Sequence, residues 1–421
     1  MVAEFTERGS VRRPALDRLV AMPPAVFADE FWGRAPVLSR AVDLPTGFND
    51  LFSIGSVDEL VANRAIRTPF VRMANEGTVL DTARFTSSGG FGAEVGDQLD
   101  STKVLREFAD GATLVLQGLH RTWQPIADFT RALVGDLGHP AQVNAYVTPA
   151  SSRGFDPHYD VHDVFVIQIF GEKHWTIHEP VHPDPLRDQP WTDHREAVAA
   201  KATGSPAIDE TFRPGDVLYL PRGWIHSAQA LGGTSIHLTI GVSALTRWDI
   251  VQRLVVAATS DVALRGSLPL GIDYTDAAAL APLIESTIAS LSATLQGTAT
   301  EQIGDALAKK LSDSIRPAPV LPLATIESLG AIGADTPVVW RDGLSARVEH
   351  DQQHATIVLG TRTVTLPAEA FPAVEELERR EPVAAGHLRG LDPESSVVVA
   401  RRLVREGVLV VGVDRGETRP D

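Results

Sequence analysis

The middle of the chain constrains the fold most strongly, because short apolar segments follow one another there, separated by glycine and proline turns. Segments of this length that are rich in Val, Ile and Phe are typical of β-strands. Many short strands broken by such turns predict a sandwich or a barrel. The Gly171-Glu172 pair is expected to form a hairpin turn between two of the strands. The predicted strands are Ala112–Leu116, Gln142–Val147, Asp163–Phe170, Lys173–His178, residues 215–221 and Ser235–Val242.

The segments on either side of this region have the residue spacing of helices. A chain of 421 residues is too long for one compact core, which predicts two or three domains. Residues 316–322 are rich in proline and are expected to be a linker. The order helix, helix, strand near the end is compatible with a small winged-helix unit. The predicted helices are Lys103–Phe108, Pro125–Leu133, Asp249–Thr259, Asp276–Leu295, Thr300–Ser314, Pro382–Gly390 and Pro393–Gly407, before a strand at Val408–Val413.

The composition excludes several kinds of site. The chain has no cysteine, which excludes disulfides, iron–sulfur clusters and thiolate nucleophiles, and leaves His and carboxylates as metal ligands. Its formal charge of −16 disfavours nucleic acid and favours a basic partner. No run of residues approaches the roughly 18 apolar residues of a membrane span. The beginning of the sequence lacks the apolar centre of a signal peptide, so a cytoplasmic protein without a membrane partner is expected.

Two short motifs predict a metal site. His158-Tyr159-Asp160 places two ligand-type side chains on one face if the segment is extended. The block that ends in Gly223-Trp224-Ile225-His226 follows a strand and a Pro-Arg-Gly turn, and His226 is the best third ligand. Two histidines and one carboxylate on one face are the ligands of non-haem Fe(II) oxygenases, and they leave coordination positions for a keto acid and O₂. An H-x-D pair alone is a weak signal, and the second block is what strengthens it.

Other histidines compete for roles near this site. His174 and His178 are expected to point outward, on the face opposite to Lys173. His182 and His194 fall in a polar loop that is expected to cover the site. His237 shares a face with Thr239 on the last strand, where it would support the ligands without contacting the metal.

Residues 144–180, with the motif His158-Tyr159-Asp160, and residues 213–230 closely resemble the JmjC-type cupins of the ribosomal oxygenase group. Residues 30–40 are similar to the N-terminal segment of the same family. The resemblance implies a mixed β and α fold, with a double-stranded β-helix (the cupin/JmjC jelly roll) followed by a helical dimerisation region and a small winged-helix-like domain. The expected boundaries are 1–245 for the catalytic domain with its N-terminal extension, 246–322 for the helical region and 323–421 for the last domain.

The resemblance also implies roles for single residues. His158, Asp160 and His226 match the iron ligands of the family. Lys173 matches the basic residue that pairs with the distal carboxylate of 2-oxoglutarate, and a buried dicarboxylate does need a fixed cation. Tyr146 matches a tyrosine whose hydroxyl also reaches that carboxylate, and Asn144 and Thr239 are weaker candidates for the cosubstrate pocket. The implied pocket residues are Lys173, Tyr146, Asn144 and Thr239.

The resulting hypothesis is an Fe(II)- and 2-oxoglutarate-dependent oxygenase that hydroxylates a side chain of a protein, such as a ribosomal protein, and acts as a homodimer. A small peptide or another small molecule is an alternative substrate. A cupin that binds metal without oxidation would not need Lys173, and a regulatory scaffold would not need an intact metal triad. The domain from Thr361 has nine Arg against eleven Asp plus Glu, which favours a protein contact over DNA binding.

Overall fold

The computed structural model describes residues 13–412, except for residues 76, 93, 151–155, 299 and 361. The chain divides into two compact units, Met1–Ala244 and Leu245–Asp421.

The first unit contains a nine-stranded antiparallel sheet and a small two-stranded sheet. Its strands are short at the edges and long in the centre. They are β1 (Val37–Ser39), β2 (Val71–Asn75), β3 (Thr78–Val79), β4 (Thr86–Ser87), β5 (Gln98–Leu99), β6 (Thr113–Leu116), β7 (Ala141–Thr148), β8 (Asp163–His178), β9 (Ile208–Phe212), β10 (Val217–Leu220) and β11 (Ile225–Val242).

The strand order in the large sheet is β1-β10-β8-β11-β7-β6-β2-β3, and β9 also pairs with β8. Both β8 and β11 are therefore central strands, and each is long enough to pair with different neighbours along its length. The first half of β8 pairs with β10, and its second half pairs with β9. Between the halves the pairing with β11 shifts register, from Leu231 to Ile236.

At this shift four residues of β11, Gly232 to Ser235, bulge opposite the single residue Gly171 of β8, and the hairpin predicted at Gly171 is wrong. Gly171 has φ +65°, and an added Cβ would lie 2.1 Å from the carbonyl oxygen of Thr234. Glycine is therefore required both by its backbone conformation and by the close approach of β11. The side chain of Gln168 donates to the carbonyl oxygens of Phe170 and Gly171. The chain bends here without reversing, so the two predicted strands are one.

The first half of β8 is buried on both faces. Phe165 and Ile167 pack in the larger core, between the sheet and the helices. Val164 and Val166 pack in a second core, together with Trp175 from beyond the bulge. A strand buried on both faces has a continuous apolar run instead of an alternating one, as residues 164–167 do. The helices of this unit are α1 (Pro24–Val26, continued by a π-helical turn at Phe27–Phe31), α2 (Ile54–Asn63), α3 (Ser101–Ala109), α4 (Leu119–Thr122), α5 (Gln124–Leu137) and α6 (Arg195–Lys201), with 3₁₀ turns at Leu16–Arg18, Ala41–Asp43, Thr82–Arg84 and Trp191–His194.

The second unit begins with helices that bury little of their apolar surface. No residue of the longest helix or of the helix that follows it is buried among the residues described there. The longest helix, of 21 residues, is also long and apolar enough to cross a membrane by length and composition, with a mean hydropathy of 1.4 in its most apolar window. The expectation that no segment has this property is corrected. These helices are α7 (Arg247–Ala258), α8 (Val262–Arg265), α9 (Ala277–Gly297) and α10 (Thr300–Ser314).

The rest of the second unit has its own apolar core, around Trp340, Ile357 and Leu403. The helix predicted at Pro382–Gly390 is wrong: Val383–Ala384 is a strand that pairs with β12, and turns follow it. The remaining elements are α11 (Pro322–Leu329), β12 (Pro337–Trp340), β13 (Arg347–His350), β14 (His354–Leu359), β15 (Arg362–Pro367), a 3₁₀ turn (Ala368–Ala370), α12 (Phe371–Leu377), β16 (Val383–Ala384), α13 (Pro393–Arg405) and β17 (Leu409–Val411).

Candidate metal centre and its buried cationic pocket

His158 and His226 are held together by their own backbones. The backbone amide of His158 donates a hydrogen bond to the carbonyl oxygen of His226 at 3.2 Å. The backbone amide of His226 donates in return to the carbonyl oxygen of His158 at 2.8 Å. Two residues that exchange both hydrogen bonds lie directly opposite each other in an antiparallel pair, with their side chains on one face. Their imidazole centres are 4.4 Å apart. Backbone pairing therefore fixes the spacing of the two rings.

Both rings are oriented by a short local hydrogen bond. The Nδ1 atom of His158 lies 2.7 Å from the carbonyl oxygen of Asp156, and Nδ1 of His226 lies 3.1 Å from that of Trp224. A carbonyl oxygen only accepts, so Nδ1 carries the proton in both rings. Nε2 is then the atom with a lone pair, as in metal-binding histidines whose other ring nitrogen donates to a carbonyl oxygen.

Asp160 lies beside these two rings. Its Oδ2 atom is 3.8 Å from Nε2 of His226, and its backbone carbonyl accepts a hydrogen bond from the amide of Gly223 at 3.0 Å. Burial alone would raise the pKa of the carboxyl group, but His226, His162 and His158 hold this pKa below its usual value. Burial, and next the neighbouring His158, lowers the pKa of His226 to about 4. At neutral pH the site therefore has a carboxylate and a neutral His226, the forms that bind metal.

The three side chains converge without being tightly clustered. Among the residues that the structure describes, no three His, Asp or Glu side chains form a compact ion-binding group. Ligand atoms around a six-coordinate ion are about 3 Å apart when each bond is close to 2.1 Å. The separation of 3.8 Å between Nε2 of His226 and Oδ2 of Asp160 would therefore have to shorten by less than 1 Å. The residues fit a metal ion of the Fe(II) type.

Lys173 is a buried cation in the same cavity. Its side chain is 4% exposed, and its Nζ atom donates to the hydroxyl of Thr148 at 3.3 Å. No carboxylate of the described residues pairs with Nζ, and burial lowers the pKa of the amine to about 7. Buried charges are normally paired. The ammonium group therefore fits a ligand that brings its own carboxylate into the cavity.

Tyr146 lies in a row of side chains that crosses four strands. Arg72 of β2 pairs with Val115 of β6, and Val115 pairs on its other side with Tyr146 of β7. Tyr146 in turn pairs with His237 of β11. Arg72 hydrogen-bonds the hydroxyl of Tyr146, whose pKa is raised mainly by burial. The rings of Tyr146 and His237 stack, with centres 5.0 Å apart and planes 3° apart. Strand register therefore brings a second cation into the cavity.

His237 is neutral in this row. It is 4% exposed, and burial, together with the nearby Lys173 and His226, lowers its pKa well below the usual value. Its Nδ1 atom is buried and has no partner among the described residues. His237 therefore offers an uncharged ring to the cavity, in the supporting position that the sequence suggested.

The cavity has a volume of about 270 Å³. Thr239 lines it, as the sequence predicted. Asn144 does not line it, and its side-chain oxygen accepts a hydrogen bond from the amide of Gly118 at 3.0 Å. A role for Asn144 in the pocket stays a prediction without support from this geometry. The lining residues are Arg72, Tyr146, His158, Asp160, Val164, Val166, Lys173, Trp175, Leu220, His226, Ser227, Ala228, His237 and Thr239.

The remaining histidines lie outside the cavity. His174 is half-exposed and bonds Asp209 and Thr211, as expected of an outward-facing residue. His178 was expected to point outward as well, but it is 3% exposed, because the chain covers this end of the strand. His182 and His194 stack on each other at 4.6 Å.

The polar insertion between β8 and β9 packs beside the metal centre. The ring of Trp191 lies 6.2 Å from that of His158, and the guanidinium of Arg195 covers Trp191 at 4.9 Å. Gly223 has φ +86°, and an added Cβ would lie 2.8 Å from the carbonyl oxygen of His182. The glycine of the Pro-Arg-Gly turn therefore allows the insertion to pack closely against the strand that carries His226.

Sequence reasoning missed Arg72, Thr148 and Trp191. Arg72 could have been suspected, since it is a charged residue within the buried strand Val71–Asn75. Its distance from the motifs in the chain concealed the connection, which exists only through strand register. Thr148 and Trp191 have no sequence signal beyond their residue types.

Residues 120–250 match the family model of the JmjC domain. This range contains all three candidate ligands and the four predicted pocket residues. The resemblance to JmjC-type cupins that the motifs indicated is therefore confirmed.

Among curated proteins, the chain is similar to Ribosomal oxygenase 1 of Homo sapiens, with 29% identity over 280 residues, which are 64% of this chain and 42% of the relative. Ribosomal oxygenase 2 of Bos taurus is 38% identical over 134 residues, which are 30% of this chain and 28% of that protein. The bifunctional lysine-specific demethylase and histidyl-hydroxylase NO66 of Drosophila erecta is 30% identical over 58% of this chain and 36% of its own length. The chain thus spans less than half the length of these relatives.

Among solved structures, the ribosomal oxygenase YcfD of Escherichia coli matches with a TM-score of 0.53 and 16% identity, over 94% of this chain and 99% of that one. The same protein in complex with cobalt and 2-oxoglutarate matches with a TM-score of 0.51 and 17% identity, over 93% and 99% of the two chains. At this identity the match shows a shared fold. The expected mixed β and α fold of cupin/JmjC type is confirmed at that level.

Proposed function

We propose that this chain, whose residues 120–250 match the JmjC domain, is an Fe(II)- and 2-oxoglutarate-dependent oxygenase. One observation carries the proposal: the buried ammonium of Lys173, which pairs with no carboxylate in the described part of the chain, shares a cavity with two histidines and an aspartate on one face. A metal site alone would not need this cation. A cosubstrate with one end on the metal and a free carboxylate at the other end does need it.

Each residue has a role that follows from its position. His158 and His226 would bind the metal through Nε2, and Asp160 through its carboxylate. Lys173 and Tyr146 would hold the far carboxylate of the cosubstrate, and Arg72 would add charge through Tyr146. Fe(II) and 2-oxoglutarate, when bound, would supply the oxidising chemistry, in which 2-oxoglutarate and O₂ give succinate, CO₂ and a hydroxylated substrate.

Apolar side chains on the cavity wall would keep bulk water away from this chemistry. Val164, Val166 and Leu220 are each at most 3% exposed, and Trp175 is 5% exposed. A dry cavity strengthens the attraction between Lys173 and a carboxylate. It also protects a reactive centre from side reactions.

We further propose that the substrate is a side chain of a basic protein, such as a ribosomal protein. The names of the relatives, ribosomal oxygenases and a histidyl-hydroxylase, support this proposal. The formal charge of −16 favours a basic partner. Arg or His side chains are the expected targets, and the insertion that carries Trp191 lies where such a side chain would enter.

The second unit would contribute a dimer contact and a protein-contact module. The helices of residues 246–322 expose large apolar residues, including Val256 at 58% and Ile288 at 57%. Such faces are what a homodimer interface would cover. Residues 323–421, which hold 11 Arg against 16 Asp plus Glu and include helices and paired strands, would form the winged-helix-like domain.

The activity is tested by optical spectroscopy of the full chain without oxygen. Addition of Fe(II) and then 2-oxoglutarate should give a charge-transfer band near roughly 500 nm. Asp160→Ala should abolish the band by removing a ligand. Lys173→Ala should shift its appearance to much higher 2-oxoglutarate concentrations. Iron binding without any band in the unmodified protein would contradict the proposal and favour a non-oxidative cupin.

The substrate is tested separately. Ribosomal proteins incubated with the loaded enzyme and heavy-isotope O₂ should gain one labelled oxygen on an Arg or His, as read by mass spectrometry. The Asp160→Ala protein is the control. If only a small molecule stimulates succinate formation and no label appears on protein, the proposed oxygenase activity is supported and the proposed protein substrate is contradicted.

A further inference from the structure

Three arginines meet in a cavity of about 300 Å³ in the second unit, far along the chain from the metal motifs. Arg341 follows β12, Arg362 begins β15 and Arg405 ends α13. Residues from three separate elements thus bring guanidinium groups to one cavity, which we call the guanidinium pocket. Guanidinium groups recognise oxyanions through paired N–H donors.

The carboxylate that lines the guanidinium pocket is already engaged. Glu406 accepts from Arg362 at 3.0 Å and from Arg402 at 3.0 Å, and Arg405 lies 3.9 Å from the same group. Arg362 also donates to the backbone carbonyl of Glu406. One negative charge therefore faces several positive ones, and the balance of the pocket is positive.

Arg341 is the residue that this arrangement leaves unsatisfied. Its Nε atom is buried and has no hydrogen-bond partner among the described residues. Burial and the neighbouring Arg362 both lower the pKa of its guanidinium group. The guanidinium groups of Arg341 and Arg362 repel each other, and an oxyanion in the cavity they line would relieve this repulsion.

Another part of the pocket wall is apolar. It is formed by Val320, Pro322 and Ile326, at the start of α11. Ile326 is 62% exposed, and Leu323 on the same helix is 81% exposed. An inorganic phosphate would leave this wall in contact with water. A carboxylate attached to an apolar neighbour would satisfy the arginines and cover the wall at once.

We propose that the guanidinium pocket binds an acidic residue of a polypeptide partner, with an apolar side chain of the same partner on the wall of Val320, Pro322 and Ile326. Charge complementarity selects the carboxylate, and the apolar wall selects the residue beside it. The site is independent of the metal centre and does not rest on the proposed oxygenase activity. A polyanion such as nucleic acid is disfavoured by the eleven acidic residues that accompany nine arginines from Thr361 onward.

The test measures binding of a fluorescent peptide with the central sequence Leu-Asp-Leu to the full chain, by anisotropy. A twin peptide with Leu-Asn-Leu removes the charge and keeps the shape. The Asp peptide should bind at least about tenfold more tightly than the Asn peptide, since a hydrogen bond to a charged group is stronger than one to a neutral group. Arg341→Gln should reduce the affinity for the Asp peptide to that of its twin.

Three controls locate the binding. Arg389→Gln removes an exposed arginine outside the pocket and should change nothing, whereas the exposed Arg405→Gln should weaken binding without harming the fold. Lys173→Ala should leave the affinity unchanged, which distinguishes this pocket from the metal cavity. Equal binding of the two peptides, or binding lost in Lys173→Ala and kept in Arg341→Gln, would overturn the proposal. Displacement of the peptide by inorganic phosphate at concentrations where acetate has no effect would also overturn it, in favour of a phosphoryl site.

Discussion

At the scale of single residues, two buried charged side chains in the first unit differ in whether an opposite charge pairs with them. Glu107 is 2% exposed and has two arginine partners, Arg84 and Arg106. Lys173 is similarly buried, and its ammonium group meets the hydroxyl of Thr148 and the ring of Trp175 but no carboxylate among the described residues. A buried charge with partners serves the fold, whereas one without a counter-charge lowers stability until a ligand arrives. The contrast identifies Lys173 as a residue kept for binding.

This argument predicts that Lys173→Met stabilises the protein in the absence of ligands. The lowered pKa means that protonated Lys173 costs stability at low pH, by up to about 5 kcal/mol below pH 7. The gain from methionine should therefore be largest near pH 6 and should shrink as the pH rises from 7 toward 10.5, because the amine is neutral in both the folded and the unfolded chain only above that pH. Thermal denaturation over this pH range measures it, with Lys103→Met, at a more exposed site, as the comparison. A variant less stable than the parent at pH 6 would show that Lys173 is structural.

The same pKa predicts how 2-oxoglutarate affinity depends on pH. Below pH 7 the amine is already charged in the free protein, so affinity should be nearly constant. Above pH 7, binding has to take up a proton, and affinity should fall by up to about tenfold per pH unit. Calorimetry in buffers of different ionisation enthalpy measures both the affinity and the proton uptake. Lys173→Arg keeps its charge throughout and should flatten the profile; a flat profile in the unmodified protein would contradict the assignment.

At the scale of elements, the register shift between β8 and β11 at Gly171 determines where Lys173 lies. Gly171 has φ +65°, and its Cα approaches Thr234 so closely that a Cβ has no room. Two residues later, Lys173 is directed into the cavity. Gly171→Ala should therefore destabilise the fold by more than about 3 kcal/mol, through both backbone strain and overlap.

Gly232 provides the matched control for this substitution. It has φ +68°, but nothing lies within 4 Å of an added Cβ. Gly232→Ala should cost only about 1 kcal/mol, the strain of the left-handed conformation. Urea denaturation of both variants separates strain from overlap. Equal losses in the two variants would show that the close approach at Thr234 is unimportant.

The elements also show which features a sequence reveals. The apolar run at Asp163–Phe170 and the spacing of His158 and Asp160 are local, so strand and motif could be read directly. The bulge was mistaken for a hairpin, because a glycine with positive φ is compatible with both, and only the partner strand decides between them. Arg72 was missed because strand register brings it to Tyr146. The helix predicted at Pro382–Gly390 is a strand edge and turns, since pairing with β12 overrides a weak local preference.

At the scale of the whole molecule, the two units differ in how they bury apolar surface. The first unit has two cores on the two faces of β8. In the second unit, α9 buries none of its residues, although its composition is apolar enough for a membrane span. Its serines and threonines and Glu285 are less suited to lipid than to a contact with another protein surface. The unburied helices therefore favour self-association.

If a second copy of the chain covers α9, we expect Ile288→Asp to convert the protein from a dimer to a monomer. Ile288 is 57% exposed on α9, and an aspartate there would be buried without a partner if a second copy covers it. Light scattering after size exclusion measures the mass, and Val42→Asp, at a residue 91% exposed in the first unit, should leave the dimer intact. Because residue 288 lies outside the apolar core around Trp340, the variant should keep its melting temperature apart from the loss of dimer stabilisation. A monomeric parent protein would contradict the dimer. Sedimentation with membranes until detergent is added would also contradict it and would indicate that α9 contacts lipid.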